Sequence, residues 1–88
     1  MPTYLITHNV DDVAHWWNSP QREQLFGPMG ITVRTFRNAA GGPSTALLAE
    51  IPDLDAFMAV LQTPEGAAAA AHDGVHLDSI VLYEETAP

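Results

Sequence analysis

His8 lies far from His72 and His76 along an 88-residue chain, yet each has a carboxylate within a few positions: Asp11 and Asp12 follow His8, and Asp73 lies between His72 and His76. An imidazole beside a carboxylate can serve as a general base near neutral pH, because the carboxylate fixes its tautomer and raises its basicity. His8 is the expected base, with His72 and His76 as catalytic neighbours. Arg37 could orient an anionic substrate through a charge-assisted fork, with Asp11 at the same site. It could equally pair with Asp11 or Asp12 at the surface. Trp16 and Trp17 could wall a pocket by stacking on an aromatic ligand, or belong to the core. The three imidazoles with Asp73 or Asp11 also have the donor types of a zinc-like site. No short helical spacing of histidines secures such a site, since Gly74 falls between His72 and His76. No metal is therefore expected.

These residues meet only if the chain returns them to one end, and its elements do so in the order strand, helix, strand, hairpin, strand, helix, strand. Thr3 to His8 alternates as a strand. Asn9, Asp11 and Asp12 offer N-caps to a helix whose Val13, Trp16 and Trp17 fall at i, i+3 and i+4, which predicts both indoles on the buried stripe. His15 points the other way. Pro20 restarts or kinks this helix, and Gly27-Pro28 with Gly30 mark its exit. Ile31 to Asn38 alternates as a second strand, Ala39 to Ser44 is a hairpin loop, and Thr45 to Ile51 returns as a third strand. Pro52-Asp53 opens a helix carrying Leu54, Phe57, Met58 and Leu61. Thr63-Pro64-Glu65 opens another through the run Ala67 to Ala71, which Gly74 ends. Leu77 to Glu84 is read as the fourth strand, and Glu85 to Pro88 as a frayed end.

Strand parity adds an expectation about faces. The apolar set (Leu5, Ile31, Val33, Leu47, Ala49, Ile51, Val81) should meet the helices. The mixed set (Tyr4, His8, Arg34, Phe36, Glu50, Asp78) should meet a partner subunit.

Composition bounds the function. A chain of 88 residues builds one domain, residues 1–88, and 47% apolar residues exceed what so small a core easily hides. A homodimer is the natural outlet. Eleven acids against three arginines and no lysine give a net charge of −8, which argues against nucleic acid and anionic membranes as partners. The absence of cysteine removes thiol nucleophiles and thiolate metal sites. No phosphate-binding glycine loop is present, so no cofactor is expected. The N-terminal stretch lacks a signal peptide's basic start and apolar run, and no segment is long enough to span a membrane, so a cytoplasmic protein is expected.

The strand ending His8-Asn9-Val10, Asp11 or Asp12 before Trp16, Phe36-Arg37-Asn38 with its hairpin, Asp53-Leu54-Asp55-Ala56-Phe57, Thr63-Pro64-Glu65, Gly74-Val75 and Val81-Leu82-Tyr83-Glu84-Glu85 together resemble the small stand-alone dimeric α+β barrel proteins. That superfamily includes antibiotic-biosynthesis monooxygenase-like proteins, polyketide cyclases, muconolactone isomerase and haem-degrading enzymes. The resemblance implies an α+β ferredoxin-like sandwich with an antiparallel sheet in the order 4-1-3-2. Two such sheets would pack face to face, and a pocket would lie between sheet and helices. It also implies a small-molecule-binding homodimer, with a cofactor-independent cyclase, isomerase or monooxygenase activity on a small aromatic or polyketide-like compound. The alternative is a non-catalytic binding or structural dimer. The haem-degrading relatives use an Asn, a Trp and a His, for which this chain offers Asn9, Trp16 or Trp17, and His72 or His76. Haem binding is the weakest of these readings, since Asn9 follows the strand.

Overall fold

The computed structural model describes residues 2–86. Tyr4, Ile6 and His8 are buried with an exposed Leu5 among them, the period of two that makes Thr3–Asn9 the strand β1. Asp12 accepts the His15 amide and so starts α1, Val13–Asn18. Proline cannot extend that helix, so the chain opens at Ser19 and restarts as α2, Gln21–Phe26. A single 3-10 turn, Gly27–Met29, then hands over to β2, Thr32–Arg37. The glycine hairpin returns the chain as β3, Ser44–Glu50. Asp53 caps α3, Leu54–Leu61, and Thr63 caps α4, Pro64–Asp73. Gly74 (φ 70°) takes the left-handed position that ends α4.

The fourth strand is shorter than its sequence suggests. Leu77–Ser79 forms a 3-10 turn, with the Ser79 amide donating to the His76 carbonyl, and β4 covers only Val81–Glu84. Glu85 does not fray, because its amide donates to the Thr3 carbonyl at 2.9 Å. Ala87 and Pro88 lie outside the described residues.

The four strands form one antiparallel sheet in the order β2-β3-β1-β4, so the molecule is an α+β ferredoxin-like sandwich with all its helices on one face. The helices approach the sheet and one another closely. At Gly66 any Cβ would run into the Val60 carbonyl of the preceding helix. Trp16 and Ile51 are the large side chains most completely enclosed, and Phe26 meets Phe57 with ring centroids 5.3 Å apart.

The face assignment is reversed in two of the four strands. β2 and β3 orient as their parity suggests, with Leu47, Ala49 and Ile31 buried under the helices and Phe36 exposed. In β1, however, Tyr4, Ile6 and His8 face the helices, and Leu5 stands 40% exposed opposite Leu48. In β4, Val81 is 45% exposed and Leu82 packs against the core. Polarity misled because His8, though polar, is hydrogen-bonded to Thr45 and so can be buried. Asp78 lies in the 3-10 turn and belongs to no strand face. The open sheet face thus presents Leu5, Phe36, Val81 and Tyr83.

Candidate functional site

A cavity of about 60 Å³ lies between the sheet and the helices. Ile6, Leu25, Phe26, Leu47, Phe57 and Leu61 make most of its wall apolar, and His8, Gln21, Arg22 and Asp73 supply its polar groups. At about 10–15 Å³ for each water, this space has room for roughly four to six waters. Leu77, 40% exposed, marks its rim.

His8 comes from the buried face of β1 and is only 6% exposed. Its Nδ1 lies 2.7 Å from the Thr45 hydroxyl, which also lies 3.1 Å from the His8 carbonyl. A hydroxyl has one proton and a carbonyl can only accept. Both contacts are satisfied only if Thr45 donates to the carbonyl and Nδ1–H donates to Thr45. Nε2 is then the unprotonated nitrogen, with no partner among the described residues. Burial is the main cause holding the His8 pKa below its ordinary value, and the charge of Arg22 pushes it the same way against an opposing backbone hydrogen bond. The side chain is therefore a neutral imidazole with a free lone pair at neutral pH.

Arg22 stands over Trp16, its guanidinium carbon 4.6 Å from the ring centre, and Trp16 in turn meets His8 edge-on at 5.5 Å. Its terminal nitrogens donate to the carbonyls of Trp16 (2.8 Å) and Trp17 (3.3 Å). Asp73 lies 3.9 Å away. Burial lowers the pKa of Arg22 and Asp73 raises it, but a guanidinium keeps its charge in this range. Asp73 is itself buried and accepts hydrogen bonds from Ser19 Oγ and His72 Nδ1.

Of the residues singled out in the sequence, His8 and Trp16 meet at the cavity, with Asp73. The others lie elsewhere. Trp17 is 41% exposed, and the Arg37 guanidinium covers its ring at 5.7 Å. The first helix is only six residues long, too short for its stripe to bury both indoles. The ring of His72 is half exposed and turned to Asp73. His76 is not the cross-strand partner of His8: its amide donates to the Asn9 carbonyl and its Nε2 pairs with exposed Asp11. Asn9 likewise takes part in backbone and side-chain pairing with Ser79 and Ser44.

The pairing with Asp11 raises the pKa of His76, through the hydrogen bond first and the charge second. A histidine whose folded pKa is raised stabilises the fold fully below its unfolded value, and that contribution fades as pH rises through the folded value. Asp11→Asn should therefore move the His76 titration down toward the ordinary histidine value while leaving that of His8 in place. Histidine proton NMR across neutral pH reads both.

Arg22 on the cavity wall, with Thr45 and Ser19 behind it as the hydrogen-bond partners of His8 and Asp73, did not stand out in the sequence. Two of them had a signal. Arg22 shares the i, i+3, i+4 stripe with Leu25 and Phe26, a cation on an apolar face. Thr45 alternates with Leu47 and Ala49, a hydroxyl on an apolar parity.

No family model matches the chain, and no curated protein matches it by sequence. Solved structures match it through the fold. A structure described as an antibiotic biosynthesis monooxygenase is 12% identical, with a TM-score of 0.61 over 100% of this chain and 99% of its own. A dimeric protein of unknown function and ferredoxin-like fold from Bacteroides fragilis is 20% identical, with a TM-score of 0.57 over 96% and 95%. An ethyl tert-butyl ether d (EthD) family protein from Bacillus halodurans is 15% identical, with a TM-score of 0.52 over 100% of both. The structural neighbours thus include structures described as antibiotic biosynthesis monooxygenases and one described as ferredoxin-like, in line with the sequence resemblance. At these identities what is shared is the fold. Among the described residues no helix is long and apolar enough to cross a membrane.

Proposed function

We propose that the protein binds a small, largely apolar molecule in the helix-side cavity and removes a proton from it with His8. The observation that carries this reading is a buried imidazole, tied at Nδ1 by Thr45, on the wall of an apolar cavity shared with Arg22. The step is simple in its balance. A C–H or O–H bond of the ligand breaks, the proton passes to Nε2, and the electron pair is left as an enolate or phenolate. The Arg22 charge would lower the energy of that oxyanion, strongly so in a site with few waters. Cyclase, isomerase and cofactor-independent monooxygenase chemistry on aromatic or polyketide-like compounds can all begin with this proton transfer. Trp16 positions His8 and Arg22 between them. Because the cavity is small and open on one side, the ligand's flat part would pass the rim at Leu77 and Gln21.

The protein would work as a homodimer. The open sheet face with Leu5, Phe36, Val81 and Tyr83 supports this, as does the description of one structural neighbour as dimeric. A second reading, binding without turnover, is favoured by one observation: the terminal nitrogens of Arg22 already serve the Trp16 and Trp17 carbonyls.

A coloured phenol tests the reading. 4-Nitrophenol turns yellow only as its anion, so absorbance at fixed pH reports ionisation on binding. Added protein should raise the phenolate fraction, and His8→Gln and Arg22→Met should each abolish most of that rise. Binding of the phenol in its neutral form, or a rise unchanged in His8→Gln, would contradict proton transfer to His8.

A further inference from the structure

The sequence groups His72 with His76, but the structure groups it with His15. His15 reaches across from α1 to the last turn of α4, where its ring lies 5.2 Å from that of His72 and its Nε2 is 2.7 Å from the His72 carbonyl. One ligand atom from each of His15, His72 and Asp73 lies within 4.8 Å of the others. We propose that these three residues form a binding site for one divalent transition-metal ion, with zinc as the reference metal. The site is separate from the His8 reading and does not depend on it.

Three observations support this assignment. His72 Nδ1 and a carboxylate oxygen of Asp73 are 2.9 Å apart. Two ligands on one tetrahedral zinc, each at about 2.0–2.1 Å, stand about 3.3 Å apart, so this pair needs to open only slightly. The proton now on Nδ1 moves to the solvent-facing Nε2, and no proton need leave the ring. Asp73 is fixed as a ligand should be, since Ser19 donates to the same oxygen. His15 is exposed and swings in by exchanging the His72 carbonyl for the metal. The donor set also decides the class of ion. Two imidazoles and one carboxylate without thiolate suit zinc, copper(II) and nickel(II), and three protein ligands leave a position for water. A chain carrying a net charge of −8 attracts cations in any case. Bound metal would tie α1 to α4, and through Asp73 it would face Arg22 at the cavity wall.

The experiment is calorimetric titration of the full chain, stripped with a chelator and desalted, with zinc chloride. The expected result is one ion per chain, weakened at least tenfold in His15→Ala and in His72→Ala and unchanged in His76→Ala. Both rings are exposed, so the variants should fold, and circular dichroism checks that they do. A second reading on the unmodified protein avoids substitution altogether. Cobalt(II) should broaden amide NMR signals around His15 and around His72 to Gly74. Absence of zinc binding, affinity indifferent to His15 and His72, or broadening centred on Asp11 and His76 would overturn the proposal.

Discussion

Replacing Trp16 by alanine is expected to cost about 3–5 kcal/mol of stability, the range for truncating a large buried aromatic. Trp16 is 1% exposed, and it joins three parts of the molecule: His8 on the sheet, Arg22 on α2, and the core beneath α1. Domains of this size hold only about 5–15 kcal/mol in total, so the loss takes a large share. In thermal terms it amounts to a fall in Tm of about 12–40 °C. Trp16→Phe should cost much less, because the edge contact to His8 and the seat for Arg22 both survive on a benzene ring. Urea unfolding of the two variants measures the difference. Near-equal, small losses in both would mean that Trp16 is a pocket wall and not the pivot of the helical layer.

Replacing Arg22 by methionine is expected to cost about 3 kcal/mol, near the low end for removing one partner from a buried ion pair. The low end applies because Asp73 keeps its hydrogen bonds to Ser19 and His72. The loss has three sources: the uncompensated Asp73 charge, the Arg22 hydrogen bonds to the Trp16 and Trp17 carbonyls, of which Trp16 keeps the Ser19 amide as a donor, and the cation over Trp16. Asp73→Asn in the same chain should recover part of it, giving a double-mutant cycle that is less than additive. A merely structural role for Arg22 would leave the acidity of His8 alone. Here the charge of Arg22 helps to depress the His8 pKa, so in Arg22→Met the His8 titration should move up toward its ordinary value. An unchanged His8 titration with full loss of stability would reduce Arg22 to a helix clamp.

The element order and most helix boundaries could be read from the chain because they rest on local rules: Asp12, Asp53 and Thr63 as caps, Pro20 as a break, Gly74 as a stop. The strand order came only through the family resemblance. What the local rules could not give was the site. His8 falls on the apolar parity, and polarity alone placed it on the wrong face; its burial depends on a hydroxyl 37 positions away in the neighbouring strand. His76 was grouped with His8 by strand topology, but a 3-10 turn at Leu77–Ser79 delays strand pairing and leaves His76 with Asp11. Arg22 was passed over because a cation beside Gln21 and Glu23 reads as a solvated helix, though its spacing to Leu25 and Phe26 marked it as inward. His15 was set aside as facing away from the core. It does face away, and so it meets the end of another helix.

The central claim is that His8 is a neutral imidazole with Nδ1–H held by Thr45 and Nε2 free for a ligand's proton. Nitrogen-15 NMR of the histidine rings, followed through acid titration, tests it most directly. A histidine whose folded pKa is depressed stabilises the fold above its unfolded value, and that contribution is lost as pH falls through the folded value. His8 should therefore remain neutral at neutral pH in the Nδ1–H form, take up a proton only below the ordinary histidine range, and lose stability over that same acid interval. A His8 ring that is charged at neutral pH, or that carries its single proton on Nε2, would contradict the account.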